Sequence, residues 1–174
     1  MEDVFDALAA DHEDVRQMLA ELEKGPTMAT GATEDQLMLR KMMTEELIIE
    51  ESKLGEIERV YVWPAVREHV PDGGRLADQA TCQQLEIFEL LAGLDKLDAS
   101  QAEFESLLGQ FTRAGRAHFD FAERQVWPRL RAALTQKAAS ELGRRILWGK
   151  HATFVLPHPR ASASPGGACR GWFG

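Results

Sequence analysis

Apolar side chains recur three and four residues apart along nearly the whole chain, and no stretch alternates with the period of two that a half-buried strand shows. Val4, Leu8, Val15, Leu19 and Leu22 form one such stripe and predict a first helix over about residues 3–24, stopped by Gly25-Pro26. Thr33-Glu34-Asp35-Gln36 has the form of a capping box, in which the hydroxyl accepts from an orphan amide and the glutamine reaches back. It predicts a second helix through Met43, Leu47, Leu54 and Tyr61 to about His69, kinked at Pro64, where a donor is missing. Val70-Pro71-Asp72-Gly73-Gly74 reads as a turn. A third helix follows with Ala77, Ala80, Ile87, Leu91 and Leu94, fading at Asp98-Ala99. Ser100-Gln101-Ala102-Glu103 reads as a second capping box, opening a fourth helix with Phe104, Leu107, Phe111, Ala114, Val126 and Leu130, kinked near Pro128. A fifth, shorter helix is expected from about Gln136 to Trp148. The pattern predicts an all-α fold: an up-down-up-down four-helix bundle over residues 1–134, a short C-terminal helical extension over 135–156, and a flexible tail over 157–174.

Four polar residues fall on the apolar stripes. His12 lies with Leu8, Val15 and Leu19, Glu58 one turn beyond Leu54, Gln84 with Ala80 and Ile87, and His118 with Phe111 and Ala114. A lone inward histidine is ordinarily a hydrogen-bonded core residue, and a lone glutamate at a helix flank ordinarily reaches water. Four such groups at one depth change that reading, because an unpaired carboxylate in a core is costly and calls for a cation. The hexapeptide Val62-Trp63-Pro64-Ala65-Val66-Arg67 also returns 64 residues later as Val126-Trp127-Pro128-Arg129-Leu130-Arg131, the mark of an internal repeat. Under that offset Leu54 aligns with His118 and Glu58 with Ala122. The two halves together spell His-x-x-x-Glu, a metal-ligand spacing, ahead of Trp-Pro.

Composition narrows the functional classes. A chain of 174 residues with 44% hydrophobic and 28% charged residues is long enough to bury one core. The net charge of -8 argues against nucleic acid as a partner, and no run approaches the length of a membrane span. The acidic start at Met1-Glu2-Asp3 is unlike a secretory signal, and Cys82 and Cys169 form no C-x-x-C pair, so a cytoplasmic protein with reduced thiols is expected.

Over about residues 3–134 the chain resembles the hemerythrin-like, HHE cation-binding family. The resemblance rests on Ala10-Asp11-His12-Glu13, on Glu58 followed by Val62-Trp63-Pro64, and on His118 followed by Val126-Trp127-Pro128. It implies a four-helix bundle holding two non-haem irons. In that pattern helix 1 supplies a His, helix 2 a His-x-x-x-Glu, helix 3 a His, and helix 4 a His followed by a bridging carboxylate. Carried over residue by residue, it retains His12, Glu58 and His118 as metal ligands. Gln84 stands at the helix 3 position as a weak amide donor, Leu54 replaces the helix 2 histidine, and Ala122 replaces the second carboxylate. Asp120, about 200° around the helix from His118, and Glu123, about 140° around, are not expected to substitute for Ala122 without distortion.

The resemblance therefore implies an iron-binding protein, with one or two non-haem ions held weakly or lost, serving oxygen or redox sensing or iron handling. The implied partners are the metal ion and O2 or another small diatomic. His12, His118 and Glu58 form a two-histidine, one-carboxylate set of the mononuclear ferrous kind, provided the bundle brings them together. The alternative is a metal-free structural or protein-interaction bundle, favoured by leucine at a ligand position. A hydrolase or oxygenase has no pocket signature behind it. Tyr61 is expected on the inner stripe, Trp63 and Trp127 packed at the kinked helix ends, and His69 and His151 near solvent; His158 lies in the tail.

Overall fold

A computed structural model of the protein describes residues 4–153, and among them all regular structure is helical. Helix α1 spans Val4–Lys24, α2 Glu34–Ile57, α3 Trp63–His69, α4 Gly73–Asp95, α5 Ala102–Phe121, α6 Trp127–Ala133 and α7 Gln136–Thr153. Each α2–α3 and α5–α6 pair is one long rod of the bundle, interrupted by a π-helical turn at Glu58–Val62 and at Ala122–Val126. The expected tail from residue 157 lies outside the described residues.

The two π turns sit at the same place in the repeat, and proline explains why. Pro64 and Pro128 have no N–H to give the fourth carbonyl back, so the ladder widens just before them. The Trp63 N–H bonds the Glu58 carbonyl and the Trp127 N–H bonds the Ala122 carbonyl, each five residues back. The 64-residue repeat of the sequence is thus also a repeat of backbone geometry.

The stripes meet as their spacing predicts. Leu8, Val15, Leu19 and Leu22 of α1, Leu47 and Leu54 of α2, Ala80, Ile87 and Leu91 of α4, and Phe104 and Phe111 of α5 are buried in one core. The Thr33 box forms as expected, with the Gln36 amide donating to Thr33 Oγ1 at 3.3 Å and the Thr33 amide to Gln36 Oε1 at 2.9 Å. The Ser100 box does not form. Helix α5 begins two residues later, and Gln101 instead accepts from the Asp98 amide at 2.7 Å, closing a turn ahead of the helix.

Two neighbouring basic residues of α2 finish other helices. Arg40 is buried, donates to the Leu22 carbonyl near the end of α1 at 2.6 Å, and forks onto Glu105 of α5 at 2.6 and 2.7 Å. Lys41 donates to the Leu94 and Asp95 carbonyls at the end of α4. Both place positive charge at a helix C-terminus, where orphan carbonyls collect.

Helix α7 runs five residues beyond the expected end and lies along the bundle, burying Leu142 and Ile146. Gly143 passes Val4 and Lys150 pairs with Asp11, so α7 runs parallel to α1. Gly149 lies so close to Tyr61 and Ile57 that a β-carbon there would collide with both. Tyr61 therefore faces α7, with Arg145 5.5 Å over its ring, and not the bundle interior as its place on the stripe suggested. The π turn rotates it there. Cys82 is buried on α4, and Cys169 lies outside the described residues. Among the described residues, no helix is long and apolar enough to cross a membrane.

Candidate metal centre

All four inward polar residues read from the sequence are buried, and the bundle brings them together around one carboxylate. Glu58 stands in the middle. Its Oε1 lies 3.4 Å from His12 Nε2 on α1, and its Oε2 lies 3.0 Å from His118 Nε2 on α5. Gln84 of α4 donates to Glu58 Oε2 at 2.6 Å, while its own amide oxygen accepts from Trp63 Nε1 at 2.8 Å. Trp63 therefore fixes the amide so that nitrogen, not oxygen, faces Glu58. Gln84 acts here as an anchor for the carboxylate, and its oxygen is turned away from the cluster.

The outer nitrogens of both histidines are also engaged. His12 Nδ1 donates to Glu123 Oε1 at 2.8 Å, and His118 Nδ1 donates to Gln83 Oε1 at 2.9 Å. Carboxylate and amide oxygens only accept, so both Nδ1 atoms carry the proton. Each Nε2 faces Glu58: His118 Nε2 is hydrogen-bonded to Oε2, and His12 Nε2 stands 3.4 Å from Oε1. A ring whose far nitrogen is held by a carboxylate or amide oxygen can offer its near nitrogen to a metal once that nitrogen gives up its proton. Phe119 and Trp127 stack on His12 with ring centroids at 4.1 and 4.7 Å, holding its plane.

Glu123 does not take the place of Ala122; it lies in the π turn that begins there, on the outer side of His12 away from Glu58. There it accepts from His12 and, at 2.9 Å, from Arg16 Nη1. The widened turn was not foreseen from the sequence, and Trp127-Pro128 was its signal.

Glu51 is the second residue missed. It is buried on α2, on the stripe Leu47, Glu51, Leu54, Glu58, whose steps of four, three and four residues would have marked it as inward. Burial and the nearby charge of Glu58 push its carboxyl up to about 8, with His12 opposing. Burial acts against the charge of Glu58 too, but His118 and His12 outweigh it and hold that group well below the usual carboxylate range. Burial likewise works to lower His12, while Glu123 and Glu58 together raise it above the ordinary histidine value. In the metal-free protein a proton on His12 answers the charge of Glu58.

Three buried acceptor atoms in this cluster have no hydrogen-bond partner: His12 Nε2, Glu58 Oε1 and Glu51 Oε2. Donors about 2.1 Å from one tetrahedral ion stand about 3.4 Å apart, so the separation of His12 Nε2 and Glu58 Oε1 suits two ligands of a common cation. Among the described residues, no group of three or more His, Cys, Asp or Glu side chains is placed to hold a metal ion. His12, Glu58 and His118 are of the donor types that hold a cation, drawn together here by their own hydrogen bonds. A cleft of about 180 Å³ beside Glu123 is lined by Phe5, Asp6, Ala9, Trp127 and Arg131.

No curated protein and no solved structure matches the chain. The family model of the hemerythrin HHE cation binding domain does match it, over residues 3–130, and so covers most of the bundle that carries the cluster. With that match and this fold, the chain belongs to the hemerythrin HHE cation-binding family.

Proposed function

We propose that this protein binds non-haem iron at Glu58, between His12 and His118, and that it serves iron handling or redox sensing. The observation that carries the reading is the pair of buried imidazoles whose Nε2 atoms both face one buried carboxylate, each ring tied by its far nitrogen. Two neutral imidazoles and a carboxylate are a donor set suited to ferrous iron. A bound iron would supply one-electron redox chemistry.

The chain's own residues prepare that site. Glu123, with Arg16 behind it, holds the His12 proton on Nδ1 and leaves Nε2 free. Gln83 does the same for His118, and Gln84 with Trp63 holds the Glu58 carboxylate in place. Phe119 and Trp127 exclude water from the two faces of His12. The small number of imidazoles and the close packing around them favour iron handling or sensing over reversible dioxygen carriage.

A second reading, a bundle kept as a scaffold without metal, draws on Leu54 and Ala122, both buried at positions where the sequence resemblance implies ligands. Anaerobic loading with ferrous iron, desalting and elemental analysis separate the two. Retained iron, with an absorption change on exposure to air, is expected. A chain that emerges iron-free and shows no gain in thermal stability with added iron is the scaffold of the second reading.

A further inference from the structure

Exposed apolar side chains gather on two neighbouring helices. Among the described residues, the large hydrophobic side chains that stand in solvent are Met28, Met38, Leu39, Met42 and Ile49, in or just before α2, and Leu147 and Trp148 on α7. Single exposed apolar residues need no explanation, whereas a grouped set marks a contact surface. Met38, Met42 and Ile49 stand four and seven residues apart, within about 40° of one line along α2. Trp148 is the most exposed of the set, at 67%. It adjoins Gly149, which meets Ile57 and Tyr61, so it stands on the edge of α7 nearest to α2.

Charge divides between the same two helices. Glu34 and Asp35 open α2, Glu45 and Glu46 flank its methionines, and all four are exposed. On α7 the bases Lys137, Arg144, Arg145 and Lys150 stand against one acid, Glu141, in a chain whose net charge is -8. Arg144 and Arg145, both exposed, lie one turn before Trp148. The register of these groups about Ile49 names the occupant. Helix α1 is antiparallel to α2, with His12 beside Glu58 and the Leu22 carbonyl on Arg40, so α7, parallel to α1, also runs against α2. Gly149 is level with Ile57 and Tyr61, about 12–18 Å of rise beyond Ile49. Met42 and Met38 lie about 10–16 Å on the other side of Ile49. Arg144 and Arg145 stand about a turn further out than Trp148, as Glu34 and Asp35 do beyond Met38.

We infer that the α2–α7 face is the interface of a two-fold dimer of this chain, with Ile49 at the axis. Trp148 of each copy sits on Met38 and Met42 of the other, and Arg144 and Arg145 face Glu34 and Asp35. A two-fold axis through Ile49 reverses α2, so what lies on one side of that residue meets what lies equally far on the other. Apolar groups then meet apolar groups in the middle, and bases meet acids at both ends. Tryptophan is a frequent anchor of such contacts, and methionine adapts its shape to what it receives. The charged ends fix the register and disfavour a parallel arrangement. An anionic lipid surface would suit the basic α7 alone, but not the acid-flanked methionines beside it. The dimer stands whether or not the buried cluster binds metal.

The test is the mass of the full chain in solution, by light scattering and sedimentation equilibrium over a concentration series. Wild type is expected at twice the chain mass, falling to the chain mass on dilution. I49E, which sets two carboxylates against each other at the axis, and W148A should halve the mass where wild type is dimeric, with helicity unchanged. Two charge variants then decide the geometry. E34K/D35K and R144E/R145E each oppose like charges and should be monomeric alone. Mixed in equal amounts they should return to twice the chain mass, because the acid–base contacts are remade at both ends, and that recovery also shows both to be folded. A wild type that stays monomeric at every concentration overturns the dimer and leaves the face to residues 154–174 or to another partner. A dimer untouched by I49E and W148A, or folded charge variants that do not recover on mixing, overturns this interface.

Discussion

Replacing Glu51 by glutamine should stabilise the metal-free protein, against the usual cost of altering a core. Burial and the Glu58 charge raise Glu51 to about 8 in the folded chain, from 4.5 in the absence of those effects. Between those values the unfolded chain releases the proton while the folded chain keeps it, so stability falls as pH rises through this window. At pH 7 the gap is about 2.5 pH units above the unfolded value, worth about 3 kcal/mol at 1.36 kcal/mol per unit. Glutamine has nearly the same shape and no proton to lose, so it escapes this cost. Urea unfolding of wild type and E51Q with chelator present, at steps from pH 4.5 to 7.5, measures it. The advantage of E51Q should be near zero at the acid end and grow to about 3 kcal/mol at pH 7, a rise in melting temperature of about 6–12 °C. A difference that stays constant across the pH series would refute the reasoning, because it would show that Glu51 keeps its ordinary charge in the fold.

Three other outcomes follow from named contacts. Glu123→Ala removes the acceptor of His12 Nδ1 and the partner of Arg16, and should weaken metal binding about 10- to 100-fold by titration with little change in helicity. Leu54→His adds an imidazole between Glu51 and Glu58; it should tighten Mn2+ or Fe2+ binding by about tenfold or more, while lowering metal-free stability because a polar group enters the core. Arg40→Met strands the Leu22 carbonyl and Glu105 and should cost about 2–3 kcal/mol in urea unfolding, with metal affinity unchanged because Arg40 serves the other end of the bundle.

The helices were legible because their stripes keep a steady period, and so were His12, Glu58, Gln84 and His118 as inward groups. What the sequence hid lies where the backbone leaves that period. Glu123 was weighed only as a replacement ligand, so its bond to the outer nitrogen of His12 went unforeseen, and Tyr61 was assigned inward by counting about 100° per residue across a turn that does not obey it. Proline marked both places, but as a kink, whereas the structure answers with a widened turn. Glu51 was a different failure. Its spacing from Leu47 and Glu58 was regular, yet attention to residues carrying a metal motif passed over an acid with no motif around it. The Ser100 box failed because a neighbouring glutamine satisfied an amide in the preceding turn first.

The widened turn in α5–α6 also makes the charge at the cluster a matter of chain length. One additional residue per turn is all that lets Glu123, rather than a neighbour, arrive beside His12. Remove a single residue there and let the ladder close to an ordinary pitch, and the acid swings away along with the tryptophan stacked on that histidine. No ligand would have been substituted, yet His12 would lose its orienting acceptor and one wall. A one-residue deletion in this turn would leave every one of His12, Glu58 and His118 in the sequence and still strip His12 of the groups that hold its ring.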